Sequence, residues 1–174
     1  ITFRQNLDDI EIKENKSYII LLNDVIEHIN EDEDFIKHLK SKFIDKVKTA
    51  YLFITVPAFN SLFTVHDVHL GHYRRYTLKS LLAYNRILNL TICRKGYFFS
   101  VLLVMRFFQK CLSFITPAKS DGHIGVSNWQ HGKFLTGFVA SVLRIDKFVG
   151  ASLKKTFKIH IPGLSVFAVF KKSS

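Results

Sequence analysis

YIILLNDVIEH, residues 18–28, opens with an unbroken apolar run, Tyr18 to Leu22, that stops abruptly at Asn23 and Asp24. Short, partly β-branched and ended by polar residues, Tyr18 to Leu22 reads as a strand covered on both faces. The next segment decides the kind of sheet. Residues 31–47 carry Phe35, Ile36, Leu39, Phe43, Ile44 and Val47 at helical spacing, with acids in the first turn and Lys42, Lys46 and Lys48 near the end. That is an amphipathic helix with the charge polarity its macrodipole favours. Tyr51 to Val56 is a second strand, stopped by Pro57. Strand, helix and strand at this spacing form a βαβ unit, whose strands should be parallel neighbours joined by a right-handed crossover. Ligands of such sheets bind beyond the carboxyl ends of the strands, so residues 23–28 and 57–76 should share one edge.

The second of these segments holds the densest chemistry in the chain: HDVHLGHYRRYT, residues 66–77. His66, Asp67, His69 and His72 offer enough imidazole and carboxylate for a metal, but steps of three turn the successive histidines by about 60° around a helix. No metal is expected on them. The stronger reading has Asp67 orienting a histidine, with His66 or His72 beside an acceptor as a proton-accepting base, against the plainer role of loop hydrogen bonds. Arg74 and Arg75 are adjacent and cannot both point inward. One is expected to bind an anionic acceptor group or pair with Asp67, and the other to face water. Tyr73 and Tyr76 would wall the acceptor pocket or lie on the surface.

Further along, Thr77 can cap a helix running to Leu88, and Leu90 to Phe99 reads as another strand region. Residues 97–116 are strongly apolar, with Arg106, Gln109, Lys110 and Ser113 forming a narrow polar stripe. Two central cations argue against a membrane span, leaving a packed helix or one lying in the plane of a membrane surface. Pro117 to His131 reads as a loop, Phe134 to Leu143 as an amphipathic helix, and Leu164 to Phe170 as a last strand before a Lys171-Lys172 tail.

With 174 residues, 48% hydrophobic and 22% charged, the chain has the composition of a folded protein, and one domain spanning 1–174 is expected. Its net charge of +11 is unevenly placed. Residues 1–50 hold 8 Lys and Arg against 11 Asp and Glu, and the remainder 17 against 3. The later part is the face that would meet an anion or an acidic lipid surface. No aromatic-and-basic stacking pattern singles out nucleic acid. Cys93 and Cys111 lie in apolar surroundings without metal or disulfide spacing, which favours buried thiols and a cytoplasmic setting, with membrane association through residues 97–116.

Leu22-Asn23-Asp24-Val25-Ile26-Glu27-His28 resembles the DVxEH phrase after the fourth strand of class I S-adenosylmethionine-dependent methyltransferases. Val56-Pro57-Ala58, His66-Asp67 and Gly71-His72-Tyr73-Arg74-Arg75-Tyr76-Thr77 are similar to the VPA…HD…GHxRRYT stretch of one large branch of that family, and Pro162-Gly163-Leu164-Ser165 to the start of its final strand. The resemblance implies a doubly wound, mostly parallel, Rossmann-like α/β sheet lacking its first strands, here an N-terminally incomplete piece of such an enzyme. It implies S-adenosylmethionine as cofactor, met by Asn6, Leu7, Asn23, Asp24, Val25 and His28. His66, Asp67 and His72 would be catalytic, and Tyr73, Arg74, Arg75 and Tyr76 would contact the acceptor, an anionic or lipid-linked compound. Residues 97–160 would form the acceptor side. Two departures stand out: none of the 8 glycines forms a Gly-x-Gly turn, and Asn6 stands where the family places an acid against adenine. Glu27 and His28 are expected to stabilise their loop. The competing expectation is a non-catalytic remnant of the fold that binds an acidic partner or membrane surface through residues 97–158.

Overall fold

The computed structural model describes residues 10, 12, 13, 16–115, 141, 144, 146 and 161–172, with helical backbone alone at 108–115. The segment holding Asn6 and Leu7, the expected loop 117–131 and the expected helix 134–143 lie outside the described residues, apart from Ser141 in the last of these. So does most of the 97–160 region.

The elements are β1 (Ser17–Asn23), α1 (Asp32–Leu39), β2 (Thr49–Pro57), α2 (Val65–His69), α3 (Leu78–Ala83), α4 (Asn85–Leu88), β3 (Thr91–Phe98), α5 (Ser100–Ile115) and β4 (Ser165–Lys172). They build an α/β architecture around a four-stranded sheet in the order β1-β2-β4-β3. The expected βαβ unit is present: β1 and β2 are parallel neighbours, in register from Ser17 opposite Thr49 to Asn23 opposite Thr55. The last strand inserts beside β2 and runs antiparallel to it, from Ala50 opposite Lys172 to Pro57 opposite Ser165. Contacts divide the chain into two compact units, Ile1–Gly96 with Ser165–Ser174, and Tyr97–Leu164.

Alternation along the strands sets the core of the first unit. Ala50, Leu52, Ile54 and Val56 of β2 are buried with Val166, Ala168 and Phe170 of β4 on one sheet face. Ile36, Leu39, Phe43, Ile44 and Val47 are also buried, so the helical stripe read from residues 31–47 is real. The helix itself is shorter than that stripe. α1 ends at Leu39 and passes into one wide turn, Lys40–Ile44, in which the Asp45 N–H reaches back to the Lys40 carbonyl at 2.9 Å. The extra residue in this π-turn keeps Phe43, Ile44 and Val47 on the buried side. Lys172, expected in a tail, belongs to β4, and its ammonium donates to the Ile44 and Asp45 carbonyls at 2.8 and 3.0 Å.

Three further expectations are corrected. β1 is not covered on both faces: Ile19 and Leu21 are 73% and 59% exposed, because β1 is an edge of the described sheet and only alternate side chains turn inward. The helix expected from Thr77 to Leu88 breaks at Tyr84 into α3 and α4, although Leu81, Tyr84 and Leu88 still share the buried side. Cys93 is exposed, not buried, because β3 is the other edge of the described sheet.

Within the second unit, Asp146 accepts hydrogen bonds from the backbone N–H groups of Ser100 and Val101 at 2.9 and 3.2 Å. A carboxylate there satisfies two otherwise unpaired donors and complements the positive end of α5. No helix among the described residues is long and apolar enough to cross a membrane.

Candidate functional site

The carboxyl ends of β1 and β2 carry the site. β2 continues past Pro57 into a single parallel bridge between Ala58 and Tyr76, with Phe59 N–H to Tyr76 carbonyl at 2.8 Å and Tyr76 N–H to Pro57 carbonyl at 2.9 Å. The segment after β1 reaches the same place, since Tyr73 N–H donates to the Glu27 carbonyl at 2.8 Å. The two segments expected at one edge are therefore joined there by backbone hydrogen bonds.

Asp67 is the centre of this edge. Thr64 and Asp67 form a capping box at the start of α2: the Thr64 N–H and hydroxyl lie 2.8 and 3.1 Å from Asp67 Oδ2. Arg75 reaches the same carboxylate through Nε at 2.8 Å and Nη2 at 3.1 Å, and His72 Nδ1 lies 3.1 Å from Oδ1. The side chains of Asp67 and Arg75 are only 1% and 7% exposed. Burial opposes the charge on Asp67, but hydrogen bonds from Arg75, Thr64 and His72 outweigh it and hold the carboxyl down at about 2. An ionised carboxylate can only accept, so the Nδ1 facing it carries the proton, and in the neutral imidazole Nε2 of His72 is the atom with a lone pair.

Only Asp67 of α2 turns inward; His66 and His69 are exposed. The expected division of labour between the two arginines is corrected in one half. Arg75 pairs with Asp67, yet Arg74 does not simply face water: its Nη1 lies 3.0 Å from Asp32 Oδ2 and its Nη2 donates to the Asn30 carbonyl at 2.6 Å. Adjacent side chains on a non-helical segment diverge, and here each meets a different carboxylate. Tyr73 is 56% exposed, whereas Tyr76 is buried. The Tyr76 hydroxyl lies 2.7 Å from Asp32 Oδ2, and the hydroxyl of Tyr84 lies 2.6 Å from the same atom. Burial, then the bond to Asp32, pushes both phenols above their ordinary range.

On the β1 side, Asn23, Asp24 and His28 are exposed and Val25 is half-buried. Asp24 sits in the left-handed region at φ 51°, held by a 3.0 Å hydrogen bond from its N–H to the Thr55 carbonyl. A non-glycine residue there is strained, a feature that collects at functional sites. Burial raises the Asp24 carboxyl, partly offset by the charges of His72 and His28. His28 packs edge-on against His72, ring centroids 4.6 Å apart. Asn6 and Leu7 lie outside the described residues.

Asp32 and Tyr84 did not stand out in the sequence, and Glu27 did so only as a residue expected to stabilise its loop. Glu27 is fully buried with no hydrogen-bond partner for either carboxylate oxygen. Burial, only partly offset by its own nearby amide, which does not reach hydrogen-bond geometry, and reinforced by Asp24, pushes its carboxyl up to about 7. Periodicity gives no sign of such a group. The capping box does leave a signal, because Thr64-Val65-His66-Asp67 fits the [ST]-x-x-[DE] pattern.

No family model matches the chain, and no curated protein matches it. Among solved structures it is similar to a SAM-dependent methyltransferase from Archaeoglobus fulgidus, at 14% identity and a TM-score of 0.43, over 88% of this chain and 58% of that one. The chain thus spans well under two thirds of that structure's length.

Proposed function

We propose that this chain serves S-adenosylmethionine-dependent methyl transfer to a lipid-linked acceptor, with His72 as the proton-accepting base and Asp67 as the residue that orients it. The Arg75–Asp67–His72 chain of contacts at the joined strand ends carries this reading. Asn23 and Asp24, exposed at the end of β1, fit the ammonium group of the donor; the residues present include no Gly-x-Gly turn for the rest of it. The donor supplies an electrophilic methyl group. The protein's part is positional: Arg75 and Thr64 fix Asp67, Asp67 fixes the tautomer and plane of His72, and Nε2 takes the proton that an acceptor hydroxyl or amine gives up. Both arginines are committed to carboxylates, which weighs against an anionic acceptor. Exposed Val65, Val68 and Leu70 on and beside α2, with Tyr73, give the rim an apolar lip that suits a lipid-linked body.

The test is methyl transfer from labelled donor into a lipid extract by the complete gene product. His72→Ala should abolish turnover while donor binding, followed by calorimetry, is nearly kept. Unchanged turnover removes His72 from the mechanism.

A second reading, surface binding without catalysis, is favoured by α5, where Val104, Met105 and Phe107 are all more than half exposed in a chain whose residues 51–174 are basic in sequence. Vesicles containing anionic lipid should then sediment the protein and salt should release it. No sedimentation at low salt ends that reading.

A further inference from the structure

We propose that Glu27, His28 and His72 form a binding site for a divalent transition cation of the Zn²⁺ class. One donor atom from each lies within 4.8 Å of the other two. The sequence directs attention to His66, Asp67, His69 and His72 as possible ligands, and their spacing argues against them. The fold assembles a different set, two donors from the end of β1 and one from the loop after α2.

Three observations converge on this site. The first is Glu27, a fully buried carboxylate with both oxygens unpartnered. Native interiors rarely retain such a group, and one that persists calls for an ion or a proton. The second is the contact of His72 Nδ1 with Asp67, 3.1 Å long. In the neutral ring this contact reserves Nε2 as the donor atom, and a carboxylate behind a ligating imidazole is the arrangement that fixes tautomer and ring plane in metal sites. The third is the placement of His28. Its ring stands edge-on to that of His72, and its Nδ1 lies 3.8 Å from where a Cβ at Gly71 would sit. Gly71 has φ +76°, so a side chain there would strain the backbone, and its Cβ would rest in ordinary contact with His28.

The chemistry of the donors selects the ion. Two imidazoles with one carboxylate suit Zn²⁺ or Co²⁺, whereas Mg²⁺ and Ca²⁺ prefer all-oxygen sets. With bonds near 2.1 Å, tetrahedral ligands stand about 3.4 Å apart, so donors within 4.8 Å need to close by up to about 1.4 Å. Glu27 has no hydrogen bond to break in doing so. The assignment goes beyond the methyl-transfer reading. A cation on Nε2 occupies the lone pair that the base role needs, so the loaded and base forms of His72 are alternatives.

Zn²⁺ is titrated into the protein by calorimetry, and Co²⁺ is followed by visible absorption. One equivalent should bind, with the intense bands of a tetrahedral cobalt site and a rise in melting temperature. Glu27→Gln and His28→Ala should each weaken binding at least tenfold and remove the metal-induced rise, while His66→Ala and His69→Ala leave both unchanged. His28 is exposed, so its variant carries the test if Glu27→Gln does not fold. Absence of one-equivalent binding, survival of binding in both ligand variants, or loss only in the His66 and His69 variants overturns the site. Methyl transfer plays no part in the readout, so an inactive protein that binds Zn²⁺ at these residues refutes the catalytic reading and leaves this one standing.

Discussion

Asp67→Asn removes one charge and almost no volume, and the structure sets what that should cost. The native carboxylate is surrounded by two contacts from Arg75, two from Thr64 and one from His72, and both members of the Asp67–Arg75 pair are nearly inaccessible to solvent. An amide oxygen can accept from one or two of these donors but cannot neutralise Arg75. Stranding one partner of a buried pair costs about 3–5 kcal/mol, and a weakened cap adds up to about 1 kcal/mol. Against the roughly 5–15 kcal/mol that stabilises a domain, this is a large fraction. The pH dependence supplies an independent magnitude. Asp67 is held at about 2 against an ordinary 3.8, and a depression of that size corresponds to roughly 2 kcal/mol. Because the folded-state value is the lower one, this contribution is complete above about pH 4 and is lost as the pH falls through about 2. Urea denaturation followed by circular dichroism should therefore show Asp67→Asn destabilised by about 3 kcal/mol at neutral pH, with the acid loss of stability between pH 4 and 2 flattened. Combining it with Arg75→Met should recover at least ~1 kcal/mol relative to the sum of the single changes, as expected for residues in contact. A loss under 1 kcal/mol, or an additive double variant, would refute the reading of Asp67 as the keystone of this edge.

Other expectations rest on single contacts. Tyr84→Phe leaves Asp32 with Tyr76 and Arg74 but without its 2.6 Å partner, and should cost about 1–2 kcal/mol in the same denaturation assay; no change means the Asp32 cluster is not holding α1 to α4. Gly163→Ala places a Cβ 2.1 Å from the Phe98 carbonyl oxygen, so backbone must move; the melting temperature should fall by a margin equivalent to about 1–3 kcal/mol, and an unaltered melt contradicts that close approach. Cys93 should react with a thiol reagent in the native protein without any unfolding step, as its exposure on β3 requires; protection until denaturation would contradict the edge position of that strand.

How far the sequence could be read depended on which physical signal each feature leaves. The βαβ unit was legible because a helical stripe and two apolar runs have periods that local chain geometry imposes, and Pro57 marks the end of β2 as a ring without an N–H must. That one edge would hold both polar segments came from topology alone. The number of faces covered was not legible: Tyr18 to Leu22 is apolar at every position, and an edge strand with exposed Ile19 and Leu21 has the same composition as a buried one. The antiparallel insertion of β4 between β2 and β3 is equally silent, because pairing direction is decided by distant partners.

The site shows the same limit from the side of electrostatics. A charged residue in a sequence looks solvated by default, and what changes its chemistry is the set of groups brought around it from elsewhere in the chain. Asp67 and Glu27 are both acidic and both fully buried, yet the first is driven to about 2 and the second to about 7. The difference is not burial, which raises both, but the presence of Arg75, Thr64 and His72 around one and of no hydrogen-bond partner around the other. Arg75 lies eight residues from Asp67 and could be guessed from the motif; the approach of His28 to His72 spans forty-four residues and exists only once β1 and β2 are parallel. Two carboxylates on one edge with opposite protonation tendencies divide its labour: Asp67 stays charged and holds a histidine in place, while Glu27 remains open to a proton or a cation.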